Sequence, residues 1–230
     1  QYVHSISTIK EYIAKGDIFQ ANLSTCCTTE KASDLLAIDL FQKLRTVCPA
    51  PFAGMLVANG EAKGEAVIST SPERFLKMST NKTIETRPIK GTRPRHKNPE
   101  KDSALAAELI SSTKDRAENI MIVDLLRNDL GKICQPGTIE VTQLVGLETY
   151  AKVHHLTSVI KGVLKTKATW VDLIEACWPG GSITGAPKIR AMQLIHQLEK
   201  EARGPYSGGY GSMELNGALN TAITIRTMVA

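Results

Sequence analysis

Apolar residues recur along this chain with two periods, and their alternation maps a mixed set of helices and strands. Ile9, Tyr12 and Ile13 fall on one helical face, with Ser7 as a cap and Gly16 as the stop, which predicts a first helix. Ile18 to Thr25 reads as a strand, and a second helix is predicted over 34–47. Strand-like runs follow near 52–58, 65–69, 74–78 and 83–89, separated by glycine and proline. From about 103 to 132, Leu105, Leu109, Ile120, Val123, Leu126 and Leu130 keep a helical spacing, with a polar break at Ser112-Thr113-Lys114-Asp115. Two more strands are predicted near 138–145 and 153–164. Pro187 suits a first helical turn, Ile189, Met192, Ile195 and Leu198 recur every third residue, and Gly204 closes that helix. The stretch 207–229 reads as a hairpin around Asn216-Gly217. Helices and strands mix without regular alternation, so the expected fold class is α+β, mainly antiparallel sheets with flanking helices, in one domain over 1–230.

Composition changes this picture little. The 230 residues, 42% hydrophobic and 22% charged, suffice for a substantial core. The net charge of +5 is uneven: seven Lys or Arg residues lie between Lys82 and Lys101 against Glu85 and Glu100. Such a run is either a solvated loop or a site for an anion. No aromatic residues interleave with it, which argues against a platform for single-stranded nucleic acid. The cysteines 26, 27, 48, 134 and 177 lack metal-type spacing, and the odd count fits reduced thiols in a cytosolic compartment, or a plastid if a leader was removed. No apolar run reaches membrane-spanning length. The start at Gln1 and the stop inside a strand-like run at Ala230 make both ends look cut.

Four groups of residues carry candidate chemistry. Lys90 stands between Pro88-Ile89 and Gly91-Thr92. It is either a surface lysine in a turn or an amine whose neutral, nucleophilic form is favoured by Arg87, Arg93 and Arg95. Asp115 and Glu118 share a helical face and suit a hard cation such as Mg²⁺, unless they merely pair with Lys114 and Arg116. Gly180-Gly181-Ser182-Ile183-Thr184-Gly185-Ala186-Pro187-Lys188 opens a helix and is a candidate anion site, though not a P-loop, or else a plain initiating turn. Within His154-His155 only one side chain can face a given site; the bland outcome is one buried and one exposed. Glu73, taken alone, reads as a surface ion pair.

In order, these segments resemble the chorismate-utilising enzymes. The resemblance rests on Gly16–Gln20, Ser71–Phe75, Arg87–Thr92, Asp115–Asp129, His154–Leu156, Gly180–Met192 and Ile223–Thr227, and spans nearly the whole chain. Lys90 resembles the aminodeoxychorismate-forming branch, whereas anthranilate-forming relatives typically carry alanine there. Gln20 stands where water-activating members place a lysine, so the resemblance implies an amine as the eventual nucleophile. It further implies Mg²⁺ at Glu118, with Asp115 close by, and a carboxylate site at Gly91, Thr92, Thr184 and Gly185. Arg226 is implied to bind the enolpyruvyl carboxylate, Glu73 to act as general acid with His155 beside it, and Lys90 to be the covalent nucleophile. Chorismate is the implied substrate, and a glutamine amidotransferase subunit or domain the implied source of ammonia; nucleic acid and membrane are not expected. Relatives carry a second metal carboxylate beyond the equivalent of Ala230, and many have an aromatic at the place of Ser212, for which Tyr210 is a candidate substitute. An anthranilate synthase-like enzyme and a non-catalytic chorismate- or amidotransferase-binding remnant stay open as alternatives.

Overall fold

The computed structural model describes residues 2–30, 35–58 and 65–230. In chain order the elements are α1 (Tyr2–Ala14), β1 (Gln20–Ala21), α2 (Ala37–Val47), β2 (Phe52–Val57), β3 (Ala66–Ser71), β4 (Arg74–Met78), β5 (Thr83–Thr86) and β6 (Ile89–Pro94). They continue with α3 (Pro99–Ser111), α4 (Thr113–Ile133), β7 (Glu140–Thr149), β8 (Val153–Val163), α5 (Trp170–Cys177), a 3₁₀ turn (Gly181–Ile183), β9 (Gly185–Ala186), α6 (Lys188–Leu198), β10 (Gly209–Met213), β11 (Leu219–Ile223) and β12 (Thr227–Val229). Every strand pair is antiparallel, and the α+β expectation holds.

The strands form three sheets. The largest runs β10-β11-β4-β5-β8, with β6 and β7 also on β8. β5 and β6 follow one another along β8, at Thr86↔Ile160 and then Ile89↔Thr157, while β7 pairs with β8 over nearly its whole length. The run predicted over 83–89 therefore breaks at Arg87-Pro88, where proline lacks an amide for the ladder, and a further strand carries Lys90. A three-stranded sheet, β12-β3-β2, and a short β1-β9 pair complete the set.

Other departures have local causes. Ser7 lies inside α1, its hydroxyl on the Val3 carbonyl at 3.2 Å, so it caps nothing. Only Gln20–Ala21 of the strand expected over 18–25 forms, opposite Gly185–Ala186. The predicted start of α2 at 34 lies outside the described residues. The break expected within 112–115 falls at Ser112, which ends α3 and caps α4 by accepting from the Asp115 amide at 3.3 Å. Helix α5 was not anticipated; its signal was the capping box between Thr169 and Asp172. Helix α6 stops at Leu198, short of Gly204. The hairpin at Asn216-Gly217 is present, but after Ile223 the chain leaves it, and β12 joins the other sheet beside β3.

The core lies between α4 and the large sheet. Ile122, Val123, Leu126 and Leu130 pack on Phe75, Leu76, Ile84, Ile160 and Leu164, with Leu173 and Cys177 of α5 closing one side. Each such side chain contributes about 1.5–3 kcal/mol of burial. Ile9 and Ile18 pack separately on Ala191 and Leu194 of α6, and Leu109, Val145 and Leu156 form a third cluster. Asp129, in the buried face of α4, accepts from Lys188 at 2.5 Å and Lys132 at 3.0 Å, and Lys188 also donates to the Cys177 and Pro179 carbonyls. This ion pair joins α4 to the start of α6. Asp129→Ala leaves the Lys188 charge buried without its counter-ion, and urea unfolding is expected to show a loss of about 3 kcal/mol.

Candidate active site

Between Ile89↔Thr157 and Thr92↔His155, β6 advances three residues while β8 advances two. The extra residue is a bulge at Lys90-Gly91, which lifts Lys90 out of the ladder. Gly91 adopts φ +86°, and a Cβ there would meet the Asp115 Cβ at 2.9 Å and the Leu109 Cδ1 at 3.0 Å. Only glycine permits both the backbone angle and this approach of α4.

The Lys90 amine donates to the Ser182 carbonyl at 3.3 Å. Its neighbouring arginines are neutralised: Arg87 pairs with Glu148, Arg93 with Glu108 at 2.9 Å and Asp115 at 3.4 Å, and Arg95 with Asp102 at 2.9 Å. The arginines of the basic run are therefore paired, while its latter part, with Arg95, Lys97 and Lys101, is exposed to solvent. The expectation that these arginines repel charge from Lys90 is corrected, because each guanidinium faces a carboxylate.

Glu73 is not on the surface. It joins β3 to β4 with its side chain buried, its amide on the Ser71 hydroxyl at 3.2 Å and its carbonyl accepting from the Ile223 amide at 3.1 Å. Burial pushes its carboxyl above the ordinary 4.5, opposed by the Ser182 hydroxyl, the Lys90 charge and the Ile89 backbone. The Ser182 hydroxyl is buried without a hydrogen-bond partner, close enough to Glu73 to oppose the rise of its carboxyl. Ser182 thus touches both Lys90 and Glu73, a role that no spacing in the sequence disclosed.

His155 sits opposite Thr92, with its Nδ1 2.8 Å from the threonine hydroxyl. Burial and the Arg226 charge hold its imidazole below the ordinary 6.5, while the Gly91 backbone and Glu148 oppose them. Tyr150 meets the ring edge-on at 5.7 Å and donates to Glu148 at 2.6 Å. His154 faces the other side, bonded to Thr149 at 2.9 Å and Asp102 at 3.2 Å. Both histidines are buried, because β8 is covered on both faces. Arg226 lies in the crossing from β11 to β12 at φ +51°, with its carbonyl held by the Thr70 amide at 3.1 Å and its guanidinium 3.5 Å from the Cys48 thiol.

The glycine-rich turn differs from the anion site expected. The Ile183 and Thr184 amides bond the Gly180 and Gly181 carbonyls at 3.3 Å, the Thr184 hydroxyl takes the same carbonyls at 3.1 and 3.3 Å, and α6 starts only at Lys188. Those donors are satisfied within the turn. Gly185, at φ +151°, has room for no side chain, since a Cβ would lie 2.2 Å from the Gln20 carbonyl oxygen. The Gln20 side-chain oxygen is buried without a partner.

Lys90, Gly91, Thr92, Glu73, His155 and Arg226 are therefore linked through contacts or charge. Asp115 adjoins Gly91. Glu118, one turn further along α4, is partly exposed and has Lys114 at 3.9 Å. Among the described residues no three His, Cys, Asp or Glu side chains cluster to hold a metal. Tyr210 is not free to stand in for an aromatic at position 212: its hydroxyl donates to the Phe52 carbonyl and its ring lies against Gly54. Two cavities, of about 400 and 540 Å³, lie beside Trp178, and Lys90, Glu73 and His155 line neither.

A buried carboxyl, an amine lifted from a strand and an exposed arginine are thus carried by neighbouring antiparallel strands and their connections. The chain belongs to the chorismate binding enzyme family, whose model matches residues 1–230. It is 42% identical to aminodeoxychorismate synthase component 1 of Escherichia coli (strain K12), over all of this chain and 49% of that one. It is 43% identical to anthranilate synthase component 1 of Synechocystis, over all of this chain and 45% of that one. The crystal structure of anthranilate synthase component I from Streptococcus pneumoniae TIGR4 superposes with TM-score 0.84 at 35% identity, covering 99% of this chain and 49% of that one. The chain spans a quarter to a half of the length of the curated relatives it matches.

The buried Glu73 carboxyl generates a pH prediction. Its raised folded value means that the neutral form's contribution to stability is complete below 4.5 and is lost as pH rises through the folded value. Urea unfolding across this range is expected to show Glu73→Gln gaining on the native protein as pH rises; parallel curves would contradict a raised carboxyl.

Proposed function

We propose that this chain is the catalytic core of an aminodeoxychorismate synthase component I. It converts chorismate and ammonia to 4-amino-4-deoxychorismate and water, toward p-aminobenzoate and folate. The observation that carries the reading is the meeting of the Lys90 amine and the buried Glu73 carboxyl at Ser182.

In this reading the Lys90 amine attacks C2 of chorismate, the ring double bond shifts, and the C4 hydroxyl leaves as water with a proton from Glu73. Burial favours the protonated carboxyl that this step requires. Ammonia then attacks C4, the double bond returns and the C2–Lys90 bond breaks, restoring the amine, and the proton shed by the incoming nitrogen returns to Glu73. Arg226 pairs with the enolpyruvyl carboxylate, and neutral His155 is held beside it by Thr92. The Gly91 and Thr92 backbone receives the ring carboxylate, with Thr184 and Gly185 shaping the neighbouring turn. Gln20 keeps an uncharged, unpartnered oxygen near that turn, where it cannot activate water as a base. A glutamine amidotransferase subunit or domain supplies the ammonia.

Mg²⁺ fits the donors present to a limited extent. Glu118 is a partly exposed carboxylate with a single distant lysine, as suits a hydrated ion with one or two protein ligands, whereas Asp115 must release Arg93 to join it. When bound, the ion neutralises carboxylate charge on the substrate.

The purified protein is tested with chorismate, Mg²⁺ and ammonium, with and without aminodeoxychorismate lyase. p-Aminobenzoate that appears only after lyase addition is the expected result. Fluorescent anthranilate without lyase would sink the reading in favour of an anthranilate synthase-like enzyme. Lys90→Ala is expected to reduce product to background while Mg²⁺-dependent chorismate binding survives in calorimetry. Glu73→Gln is expected to lower kcat by about 10²–10⁴-fold.

A further inference from the structure

The turn that meets both Lys90 and Glu73 is held from behind by a residue outside the site. The Ile183 carbonyl, next along from Ser182, accepts from Arg203 Nη1 at 2.7 Å and from the Asn22 side-chain amide at 3.4 Å. The Thr184 carbonyl accepts from the Asn22 amide at 2.8 Å. Arg203 Nη2 donates to the Asn22 carbonyl at 2.6 Å, and Nη1 to the Ser207 hydroxyl at 3.2 Å. Nε and Nη2 form a two-point pair with Glu199 at 2.8 and 2.7 Å, and Glu199 in turn accepts the Ser24 amide and hydroxyl, both at 2.8 Å. One planar guanidinium thus ties together the segment after β1, the 3₁₀ turn and the residues after α6. It also lines the 540 Å³ cavity whose wall includes Ile183 and Thr184.

Two features separate this from an ordinary stabilising pair. First, the contacts are directional: lysine offers a point charge with three donors and cannot reproduce the fork. Second, what the turn delivers is sensitive to position. The Lys90–Ser182 bond is already long at 3.3 Å, and the Ser182 hydroxyl is buried close to Glu73 without a hydrogen-bond partner. A shift of about 1 Å in a positioning group can cost 10²-fold in rate.

We propose that Arg203 is a positioning residue for amine transfer: it fixes the turn whose Ser182 carbonyl holds the Lys90 amine and whose hydroxyl faces Glu73. This rests on the function proposed above. Arg203 touches no reacting atom and acts through Ser182.

The test uses Arg203→Lys in the full protein, with Asn22→Ala as a second variant that removes only the side-chain amide to Ile183. Three quantities are read: the thermal midpoint, steady-state kinetics with chorismate and ammonium, and the rate at which trinitrobenzenesulfonate modifies Lys90 relative to exposed Lys10 and Lys43, resolved by peptide mass spectrometry. With the fold retained, Arg203→Lys is expected to lower kcat about 10²-fold with chorismate KM within about threefold, and to change the relative Lys90 labelling rate at least threefold. Asn22→Ala is expected to move both in the same direction by less. Unchanged Lys90 labelling overturns the proposal, as does a kcat that falls only in proportion to the folded fraction. If the native protein makes no aminodeoxychorismate, the functional reading fails by itself, and Lys90 labelling still decides whether Arg203 positions the turn.

Discussion

One extra residue in β6 against β8 governs how the rest of the site is arranged. In an unbroken antiparallel ladder, residues two apart on one strand face residues two apart on the other, and side chains alternate strictly. Between Ile89 and Thr92 that count fails by one. Lys90 leaves the ladder and reaches the Ser182 carbonyl, while Thr92 returns to register and presents its hydroxyl to His155. The bulge needs a residue that tolerates a positive φ and adds no volume, because Asp115 and Leu109 occupy the space where a Cβ would stand. Gly91 meets both conditions at once. Strand, helix α4 and the 3₁₀ turn can therefore converge on one point.

Charge is arranged around that point by subtraction. The run from Lys82 to Lys101 looks like a positive field in one dimension, yet Arg87, Arg93 and Arg95 each meet a carboxylate from β7, α3 or α4. Lys90 turns instead to a carbonyl and Arg226 to a thiol. In the proposed reaction Lys90 is the nucleophile and Arg226 takes a substrate carboxylate, beside one carboxyl that burial keeps toward its neutral form. The same burial holds His155 toward neutral imidazole. A low-dielectric setting thus favours the uncharged form of an acid and of a base within one strand neighbourhood.

Overall likeness is shared between aminodeoxychorismate synthases and anthranilate synthases. The E. coli aminodeoxychorismate synthase component 1 and the Synechocystis anthranilate synthase component 1 stand at 42% and 43% identity over the same chain. In the proposed reaction, amine transfer depends on Lys90 and on the acid placed near it.

The sequence by itself determined the α+β class, the antiparallel strands, the break near Ser112 and the hairpin at Asn216-Gly217. These are local signals: period, caps and turn residues. Tertiary structure alone decided the rest. Ser7 lies inside α1 with its hydroxyl on the Val3 carbonyl, and the strand expected after Ile18 shrank to the two residues that find a partner in β9. Glu73 became buried, both histidines were covered, and the arginines were paired, since each depends on which distant element packs against it. Ser182 and Arg203 entered the picture only because the turn at 181–183 is folded between Lys90 on one side and Asn22 on the other. Period and spacing describe one chain segment at a time, whereas solvent exclusion, ion pairing and the aim of a side chain are properties of segments brought together.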